Sequence, residues 1–208
     1  MKITKTIYLT RHGATSYNDE DIVQGLLDNL LSPRGIAEAG MVAERFKDIK
    51  LDIIYHTPLS RTRQTAEIIN QHHGAKLQVI HNLIEMDLGD WEGKHFETVV
   101  RNFPDVDQAW ATNPETQVPG GESFTQMYDR IKPGCDEILN SPHQNILIVA
   151  HAMVNRAILG HFIGMPPNLA RRFRQDNCAY SKVLVYDYPV GRHVVVDIWN
   201  DTSHLKKK

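Results

Sequence analysis

Short apolar runs rich in β-branched residues alternate along this chain with longer segments whose apolar residues recur at helical spacing. The apolar runs cover residues 6–10, 51–55, 77–80 and 146–150. The helical segments begin near residues 33, 60, 124 and 153. Strands that alternate with helices in this way predict an α/β fold, a three-layer α/β/α sandwich with a mostly parallel central sheet.

Boundary signals refine this pattern. Ser32 is predicted to cap the first long helix, with Pro33 in its first position. The buried face of that helix is predicted to contain Ile36, Ala39, Ala43 and Phe46. Pro133 is expected to kink or end the helix that begins near residue 124, because proline lacks a backbone donor and clashes one turn back. Alternation in residues 182–188 and 193–199 predicts a closing hairpin.

In residues 83–122 the apolar residues follow neither helical spacing nor strand alternation. The stretch contains Trp91, Trp110 and three prolines, and it is predicted to form short helices. We interpret it as a cap-like insertion within a single domain that spans residues 1–208. Such an insertion would lie over one end of the sheet and cover an active site located there.

Composition narrows the classes of function. The 208 residues carry 25 acidic and 23 basic side chains, a net charge of −2 that argues against nucleic-acid binding. No stretch resembles a secretory signal or a membrane span. Cys135 and Cys178 are isolated and suit a reducing compartment. We therefore expect a soluble cytoplasmic protein without membrane or nucleic-acid partners. A homodimer is left open, and residues 206–208 are expected to form a solvated tail.

Two histidines stand directly after two of the apolar runs. Arg11, His12 and Gly13 follow the first run, and His151 follows the run at 146–150. One histidine at a strand end is more often structural than functional. Ligands of open α/β sheets bind at the carboxyl ends of the strands, so two histidines on neighbouring strands would share one crevice. Arginine offers donors suited to phosphate oxygens, and glycine lets the backbone approach a ligand.

A further arginine follows the second predicted strand. Arg61 falls in the first turn of the helix that begins at Ser60, where free backbone N–H groups favour an anion. Arg63, two positions on, is expected to face elsewhere and to be solvated. Arg61 is therefore a candidate for the same crevice as the two histidines.

Five segments spread over residues 7–156 combine into a specific pattern. They are Leu9-Thr10-Arg11-His12-Gly13 followed by Asn18 and Gln24-Gly25, Ser60-Arg61-Thr62-Arg63-Gln64-Thr65-Ala66, Glu85-Met86-Asp87-Leu88-Gly89-Asp90-Trp91-Glu92-Gly93, Pro119-Gly120-Gly121-Glu122-Ser123, and the segment around His151. In order and in spacing they resemble the histidine phosphatase superfamily, also called phosphoglycerate mutase-like. The chain departs from that pattern at Ala14, Ala150 and Ala152, where the family commonly has Glu, Ser and Gly.

The resemblance implies a reaction and a set of roles. Neutral His12 would attack a small phosphate monoester and form a covalent phosphohistidine, with Glu85 as proton donor to the leaving oxygen. Arg11, Arg61 and His151 would surround the transferring phosphoryl group. The implied substrate-binding residues are Asn18, Gln24, Gly13 and Ala152. No metal ion and no cofactor are implied, because arginines take the place of a cation.

Acidic neighbours of Glu85 are rivals for its role. They are Asp87, Asp90 and Glu92, and position within the family motif favours Glu85. Glu122 is expected to support the start of a helix. The remaining histidines show no metal-ligand spacing and are interpreted as packed or surface residues.

Two other functions compete with a phosphatase. A cofactor-dependent phosphoglycerate mutase would return the phosphoryl group to its substrate, but residues 88–93 resemble the phosphatase branch of the family. A catalytically inactive binding module would have lost at least one of the five implied catalytic residues. All five are present, namely Arg11, His12, Arg61, Glu85 and His151. The sequence does not identify the phosphate monoester.

Overall fold

Strands and helices alternate along the chain in the computed structural model, which describes residues 2–206. The strands are β1 (Lys5–Arg11), β2 (Ile53–His56), β3 (Lys76–Val79), β4 (Asn145–Ala150), β5 (Tyr180–Tyr188) and β6 (Gly191–Asp201). The helices are α1 (Ser16–Asp19), α2 (Pro33–Phe46), α3 (Ser60–Asn70), α4 (Phe96–Asn102), α5 (Pro104–Thr112), α6 (Phe124–Asn140), α7 (Ala152–Phe162) and α8 (Pro167–Ala170). Short 3₁₀ turns occur at His81–Leu83, Gly89–Trp91 and Ser203–Leu205.

The strands described within residues 2–206 form one sheet in the order β3-β2-β4-β1-β5-β6. Strands β1 to β4 are parallel, and β5 and β6 are antiparallel and form the predicted hairpin. The predicted α/β fold with a mostly parallel sheet is confirmed. Because Arg11 pairs with Ala150, strands β1 and β4 end at the same level of the sheet.

Side chains of the central strands point alternately to the two faces of the sheet, as the pleat requires. On β1, Ile7 and Leu9 pack against residues of α6 and α7, whereas Tyr8 packs with residues of α2 and α3 on the other face. Strand β4 divides its side chains in the same way. Burial on both faces explains the uninterrupted apolar sequence of β4, and the two helical layers complete the sandwich.

The buried face of α2 differs from the prediction at one position. Ala39, Ala43 and Phe46 are buried, but Ile36 is 52% exposed. The helix turns Gly35 towards the chain after β1, so closely that a Cβ atom there would lie 1.8 Å from the carbonyl oxygen of Ala14. This tertiary contact sets the rotation of the helix and leaves Ile36 in solvent.

Helix α6 does not end at Pro133. The helix begins at Phe124, directly after its N-cap residue Ser123, and continues through the proline to Asn140. Pro133 is exposed. The carbonyl group that loses its N–H partner one turn back can therefore be solvated, which lowers the penalty of an internal proline.

The insertion at residues 83–122 contains α4, α5 and the 3₁₀ turn at Gly89–Trp91. Val99 and Val118 are buried in the cluster that also covers α6 and α7. Trp91 and Trp110 meet edge to face, with ring centroids 5.5 Å apart. These contacts attach the insertion to the layer of helices beside the carboxyl ends of β1 and β4.

Three other expectations concern single features of the chain. Among residues 2–206, no helix is long and apolar enough to cross a membrane. Cys135 and Cys178 are buried and free. Of the expected tail, Lys206 is exposed, and Lys207 and Lys208 lie outside the described residues.

Candidate active site

His12 and His151 lie side by side at the carboxyl ends of β1 and β4. Their ring centroids are 5.4 Å apart, and the ring planes are inclined by 61°. The His12 backbone N–H donates to the Ala150 carbonyl at 3.0 Å, so the sheet ladder continues to the first histidine. His12 is 2% exposed and His151 is fully buried. The two imidazoles are thus adjacent because their strands are neighbours, but of the two only His12 lines the pocket.

The imidazole of His12 has a defined tautomer. Its Nδ1 lies 2.8 Å from the Gly13 carbonyl oxygen, which can only accept a hydrogen bond, so Nδ1 carries the proton and Nε2 keeps its lone pair. Burial, followed by the charges of Arg61 and Arg11, lowers the pKa of His12 well below its usual value. A neutral ring with a bare nitrogen is the form that a histidine nucleophile requires.

Two threonine hydroxyls form a hydrogen-bonded chain with His151. Thr62 Oγ1 lies 2.8 Å from the Leu59 carbonyl oxygen and 2.9 Å from Thr57 Oγ1. Thr57 Oγ1 in turn lies 2.9 Å from Nε2 of His151, so the ring is hydrogen-bonded through Nε2. Nδ1 is buried without a partner among the described residues. Burial, followed by Arg61, lowers the pKa of His151 well below its usual value.

The guanidinium of Arg61 is almost fully buried, with 1% exposure. It donates from Nη1 to the Leu27 carbonyl at 2.7 Å and from Nη2 to the Gly25 carbonyl at 2.8 Å. Burial lowers its pKa to about 10, so the group remains a cation near neutral pH. Arg61 therefore brings a fixed positive charge to the histidines and also holds the loop that follows Gln24.

Arg11 supplies a second guanidinium to the same pocket. Its Nη1 donates to the Gln175 carbonyl at 3.2 Å, and its Nε is buried without a partner among residues 2–206. Burial lowers the pKa of Arg11, and the charge of Glu85 opposes that effect. Arg63, in contrast, points into solvent beside Glu67 with 54% of its side chain exposed, as predicted. We call Arg11, His12, Arg61 and His151 together the cradle.

Glu85 is the acid that the structure brings to the cradle. It is 8% exposed and lines the pocket together with His12 and both arginines. Its Oε1 accepts from the Met86 N–H at 2.9 Å, and its Oε2 lies 3.5 Å from the Met153 N–H at the start of α7. Among the described residues, Glu85 is the acid that lines this pocket.

Two of the rival acids, Asp87 and Glu92, have structural partners instead. Asp87 accepts from the Gly89 N–H at 2.9 Å. Glu92 accepts from the N–H groups of Leu26 at 2.8 Å and Leu88 at 3.1 Å. These bonds tie the acid-bearing loop together, and they place both carboxylates outside the pocket lining.

Arg130 on α6 supports the segment that carries Glu85, a role that the sequence analysis missed. Its guanidinium donates to the carbonyl oxygens of Asn82, Ile84 and Glu85 at 2.9, 3.0 and 3.1 Å. It also pairs with Glu122 at 2.6 Å. Glu122, expected to support the helix start, therefore connects α6 to the acid-bearing loop.

Asn18 and Gln24 both line the pocket, and Thr15 orients both. The Thr15 hydroxyl lies 2.9 Å from Gln24 Oε1, and the Thr15 backbone N–H donates to Asn18 Oδ1 at 3.1 Å. Since both amide oxygens serve as acceptors within the protein, the amide NH₂ groups are left as donors for an anion.

Gly13 and Ala152 occupy different surroundings. Ala152 lines the pocket at the start of α7. Gly13 is absent from the lining found in the described part of the chain, and its N–H donates to Thr65 Oγ1 at 3.0 Å. A Cβ atom at Gly13 would lie 2.4 Å from the Gly35 carbonyl oxygen, so glycine is needed for packing against α2.

Above the cradle, the pocket becomes apolar. Its volume is about 230 Å³, and its upper wall contains Val23, Leu88, Phe96, Trp110 and Met153. We call these five residues the wall. Three of them, Leu88, Phe96 and Trp110, belong to residues 83–122. Across residues 2–206, no group of three histidine, cysteine or acidic side chains is arranged to hold a metal ion.

Comparison with known proteins defines the class to which this fold and site belong. Residues 7–202 match the model of the histidine phosphatase superfamily, branch 1. The chain belongs to this family. The structure also superimposes on that of an α-ribazole phosphatase from Shigella flexneri, with a TM-score of 0.83, 25% identity and coverage of 94% and 96% of the two chains.

Individual relatives carry two kinds of name. Phosphoserine phosphatase 1 of Hydrogenobacter thermophilus is 31% identical over 201 residues, which cover 96% of this chain and 93% of that protein. A Cronobacter sakazakii protein named "probable phosphoglycerate mutase GpmB" is 32% identical over 206 residues and covers 96% and 94%. The relatives of this chain therefore include proteins named as phosphatases and proteins named as probable phosphoglycerate mutases.

Proposed function

We propose that this protein is a phosphatase that hydrolyses small phosphate monoesters through a phosphohistidine on Nε2 of His12. The observation that carries the proposal is a buried neutral imidazole with its Nδ1–H bound to a carbonyl and its Nε2 free, beside two guanidinium groups. The names of phosphatases among the relatives agree with hydrolysis.

In the first step, Nε2 of His12 attacks phosphorus and the bond from phosphorus to the ester oxygen breaks. Glu85 delivers a proton to that oxygen, so the leaving group departs as a neutral alcohol. Arg11 and Arg61 neutralise the phosphoryl oxygens, and the amides of Asn18 and Gln24 donate to them. Because these donors are already oriented by the protein, little reorganisation accompanies the reaction.

In the second step, a water molecule attacks phosphorus and the phosphorus–nitrogen bond breaks. Glu85, left as a carboxylate by the first step, accepts a proton from that water. The products are free phosphate and the starting enzyme, so atoms and protons balance over the cycle. The positive charge for both steps comes from arginine, and the proposal therefore needs no metal ion and no cofactor.

The hydrogen bonding of His151 suits a complementary role. Its Nε2 is hydrogen-bonded to Thr57, so Nδ1 is the nitrogen available to a ligand. A phosphate dianion next to this ring would favour its protonation, since an opposite charge raises the pKa of a histidine. The protonated ring would then donate to a phosphoryl oxygen.

Trapping of the phosphoenzyme tests the mechanism. The enzyme is mixed with a ³²P-labelled monoester and the reaction is quenched rapidly without acid. The protein is expected to carry a label that is stable in alkali and lost in acid. The His12→Asn variant is expected to remain unlabelled. Labelling of the variant, or hydrolysis at the parental rate by it, would refute the role of His12.

The mutase remains the second candidate because several relatives carry that name. Supplying 3-phosphoglycerate with and without the bisphosphate primer separates the two reactions. A phosphatase releases inorganic phosphate without the primer. Primer-dependent conversion to the 2-isomer with little free phosphate would reverse the assignment.

A further inference from the structure

The peptide unit that joins His12 to Gly13 is held at both ends by side chains from distant parts of the chain. Its carbonyl oxygen accepts a hydrogen bond of 2.8 Å from Nδ2 of Asn177. Its N–H group donates to Thr65 Oγ1 at 3.0 Å. We call this arrangement the peptide clamp. Because the peptide unit is planar and bonded at both ends, it cannot rotate without breaking a hydrogen bond.

The position of the Gly13 carbonyl depends on this peptide unit, because the backbone reaches that carbonyl through the unit. The carbonyl oxygen lies 2.8 Å from Nδ1 of His12 and fixes the tautomer that leaves Nε2 bare. Glycine has no Cβ atom, so its backbone dihedral angles are less restricted than those of other residues. Release of the peptide unit would let the Gly13 carbonyl move relative to Nδ1. The peptide clamp therefore removes a freedom of the backbone on which the His12 tautomer depends.

Asn177 belongs to the segment between α8 and β5, and this segment is itself anchored. It forms an isolated parallel bridge with Arg11, in which the N–H of Cys178 donates to the Arg11 carbonyl at 3.0 Å. On the other side, Asp176 and Asn200 of β6 exchange two hydrogen bonds of 2.7 and 2.9 Å. The side chain of Asn177 is therefore presented to the cradle by a fixed piece of backbone.

The surroundings of the Asn177 side chain match a carboxamide. A backbone carbonyl can only accept a hydrogen bond, so the atom of Asn177 that faces the His12 carbonyl is the nitrogen. The same nitrogen lies 3.5 Å from Oδ1 of Asn18, which lines the catalytic pocket. An NH₂ group carries two hydrogens, one for each of these acceptors. An apolar side chain of the same shape would leave both acceptors without this donor.

Thr65 connects the other end of the peptide unit to the helix that carries Arg61. The Thr65 hydroxyl accepts from the Gly13 N–H and donates to the Arg61 carbonyl at 2.8 Å. Thr65 is fully buried, so water does not compete for these bonds. The peptide clamp thus joins the chain after β1 to α3 on one side and to the segment before β5 on the other.

We propose that Asn177 is a positioning residue that holds the His12–Gly13 peptide, so that the His12 imidazole keeps Nδ1 protonated and Nε2 directed at phosphorus. This inference rests on the proposed function. Asn177 is absent from the pocket lining found in the described part of the chain, so its effect on the reaction passes through other residues. The chemical step then depends on Asn177, whereas substrate binding depends on the arginines and amides of the pocket.

Two substitutions of Asn177 test this dependence. Asn177→Leu keeps the branched shape and removes the donor, and Asn177→Ser shortens the side chain and keeps it polar. With a saturating ³²P-labelled monoester, the rate constant of phosphoenzyme formation is expected to fall about 10-fold or more in both variants, because the reacting nitrogen is misplaced. The substrate concentration that gives half of this rate should change by less than about 3-fold, since Asn18 keeps its hydrogen bond from the Thr15 N–H.

Nitrogen-15 NMR of the imidazoles supplies a readout that a loss of packing alone would not change. In the parent, His12 is expected in the Nδ1–H form, and both Asn177 variants are expected to populate the Nε2–H form as well. Thr65→Val releases the other end of the same peptide unit and should shift the tautomer in the same direction. Asn102→Ala changes an exposed asparagine at the end of α4 and should keep the parental rate and tautomer.

Two outcomes would overturn the inference. The first is a parental tautomer and a parental rate of phosphoenzyme formation in the folded fraction of both Asn177 variants, even if their melting temperatures fall. The second is a slower reaction with an unchanged His12 tautomer, because Asn177 would then act on another group. If the parent formed no phosphoenzyme and released no phosphate, the proposed function would fail, and the tautomer of His12 would still report on the peptide clamp.

Discussion

The cradle and the wall meet at the same pocket but are held by different forces. In the cradle, hydrogen bonds orient His12, His151 and Arg61 against backbone carbonyls or a threonine. The wall consists of apolar side chains without such bonds, and one of them, Phe96, is 48% exposed. The cradle is therefore built to keep one geometry, whereas an exposed wall residue such as Phe96 can be changed with little effect on the fold.

This difference suggests a division of roles, in which the cradle acts on the phosphoryl group and the wall selects among substrates. Charged and polar groups must be oriented in advance, because reorganisation during the reaction would raise the barrier. Apolar contacts are less directional, so their contribution follows the area that a substrate covers. Substitutions in the cradle should therefore affect every substrate, and those in the wall should change the ranking of substrates.

Loss of the proposed nucleophile should have the largest effect. His12→Asn is expected to lower kcat about 10⁴-fold or more for all monoesters, since other groups of the site cannot replace a covalent nucleophile. Phosphate release from a panel of alkyl and aryl phosphates checks this. Residual activity within 10-fold of the parent on any monoester would contradict it.

Glu85→Gln should distinguish good from poor leaving groups. For alkyl phosphates, kcat/KM is expected to fall about 10²- to 10⁴-fold, as for the loss of a general acid. For 4-nitrophenyl phosphate the first step should change much less, because nitrophenolate departs without a proton. Asp87→Asn serves as the matched control in the same loop. An equal loss on both ester types would argue against proton donation by Glu85.

The buried histidines should make stability depend on pH. Their pKa values are lowered in the folded state, so the unfolded chain binds more protons as the pH falls below about 6.5. Stability should rise with pH in that window and level off above it. Each histidine contributes a slope of up to about 1.4 kcal/mol per pH unit.

Urea unfolding between pH 5 and pH 7 measures this slope. The free energy of unfolding of His12→Asn should depend less steeply on pH than that of the parent, because one titrating group has been removed. His193→Asn, which changes an exposed histidine of β6, should retain the parental slope. Identical slopes for parent and His12→Asn would show that His12 titrates normally when folded.

Removal of the Thr57 hydroxyl should have a moderate effect. Thr57→Val is expected to lower kcat/KM about 10-fold, because His151 loses the hydrogen-bond partner of its Nε2. Thr57→Ser should restore most of the activity. Nitrogen-15 NMR of the imidazoles should show a changed tautomer of His151 only in the valine variant. An unchanged tautomer in that variant would contradict the threonine pair as its cause.

A substitution in the wall should have the smallest effect on the reaction itself. Phe96→Ala is expected to change kcat/KM for ethyl phosphate by less than about 3-fold. It should lower kcat/KM for aryl phosphates by up to about 10-fold, the size of an aromatic contact. A uniform loss across the panel would place Phe96 among the groups that hold the cradle.

The sequence by itself determined the α/β architecture and the place of the site. The apolar runs, the helix signals and the two histidines at strand ends are local patterns, and the adjacency of β1 and β4 brings those histidines together. The position of Arg61 was equally predictable, because the first turn of α3 can be recognised from neighbouring residues. Local patterns suffice where function depends on the end of a strand or helix.

Only the tertiary structure decided the rest. The rotation of α2 depends on a contact between Gly35 and Ala14, so helical spacing alone misplaced Ile36. The hydrogen-bond partner of His151 Nε2 is Thr57, which is 94 residues away in the chain. Such features arise from packing between distant segments, and no local pattern of residues encodes them.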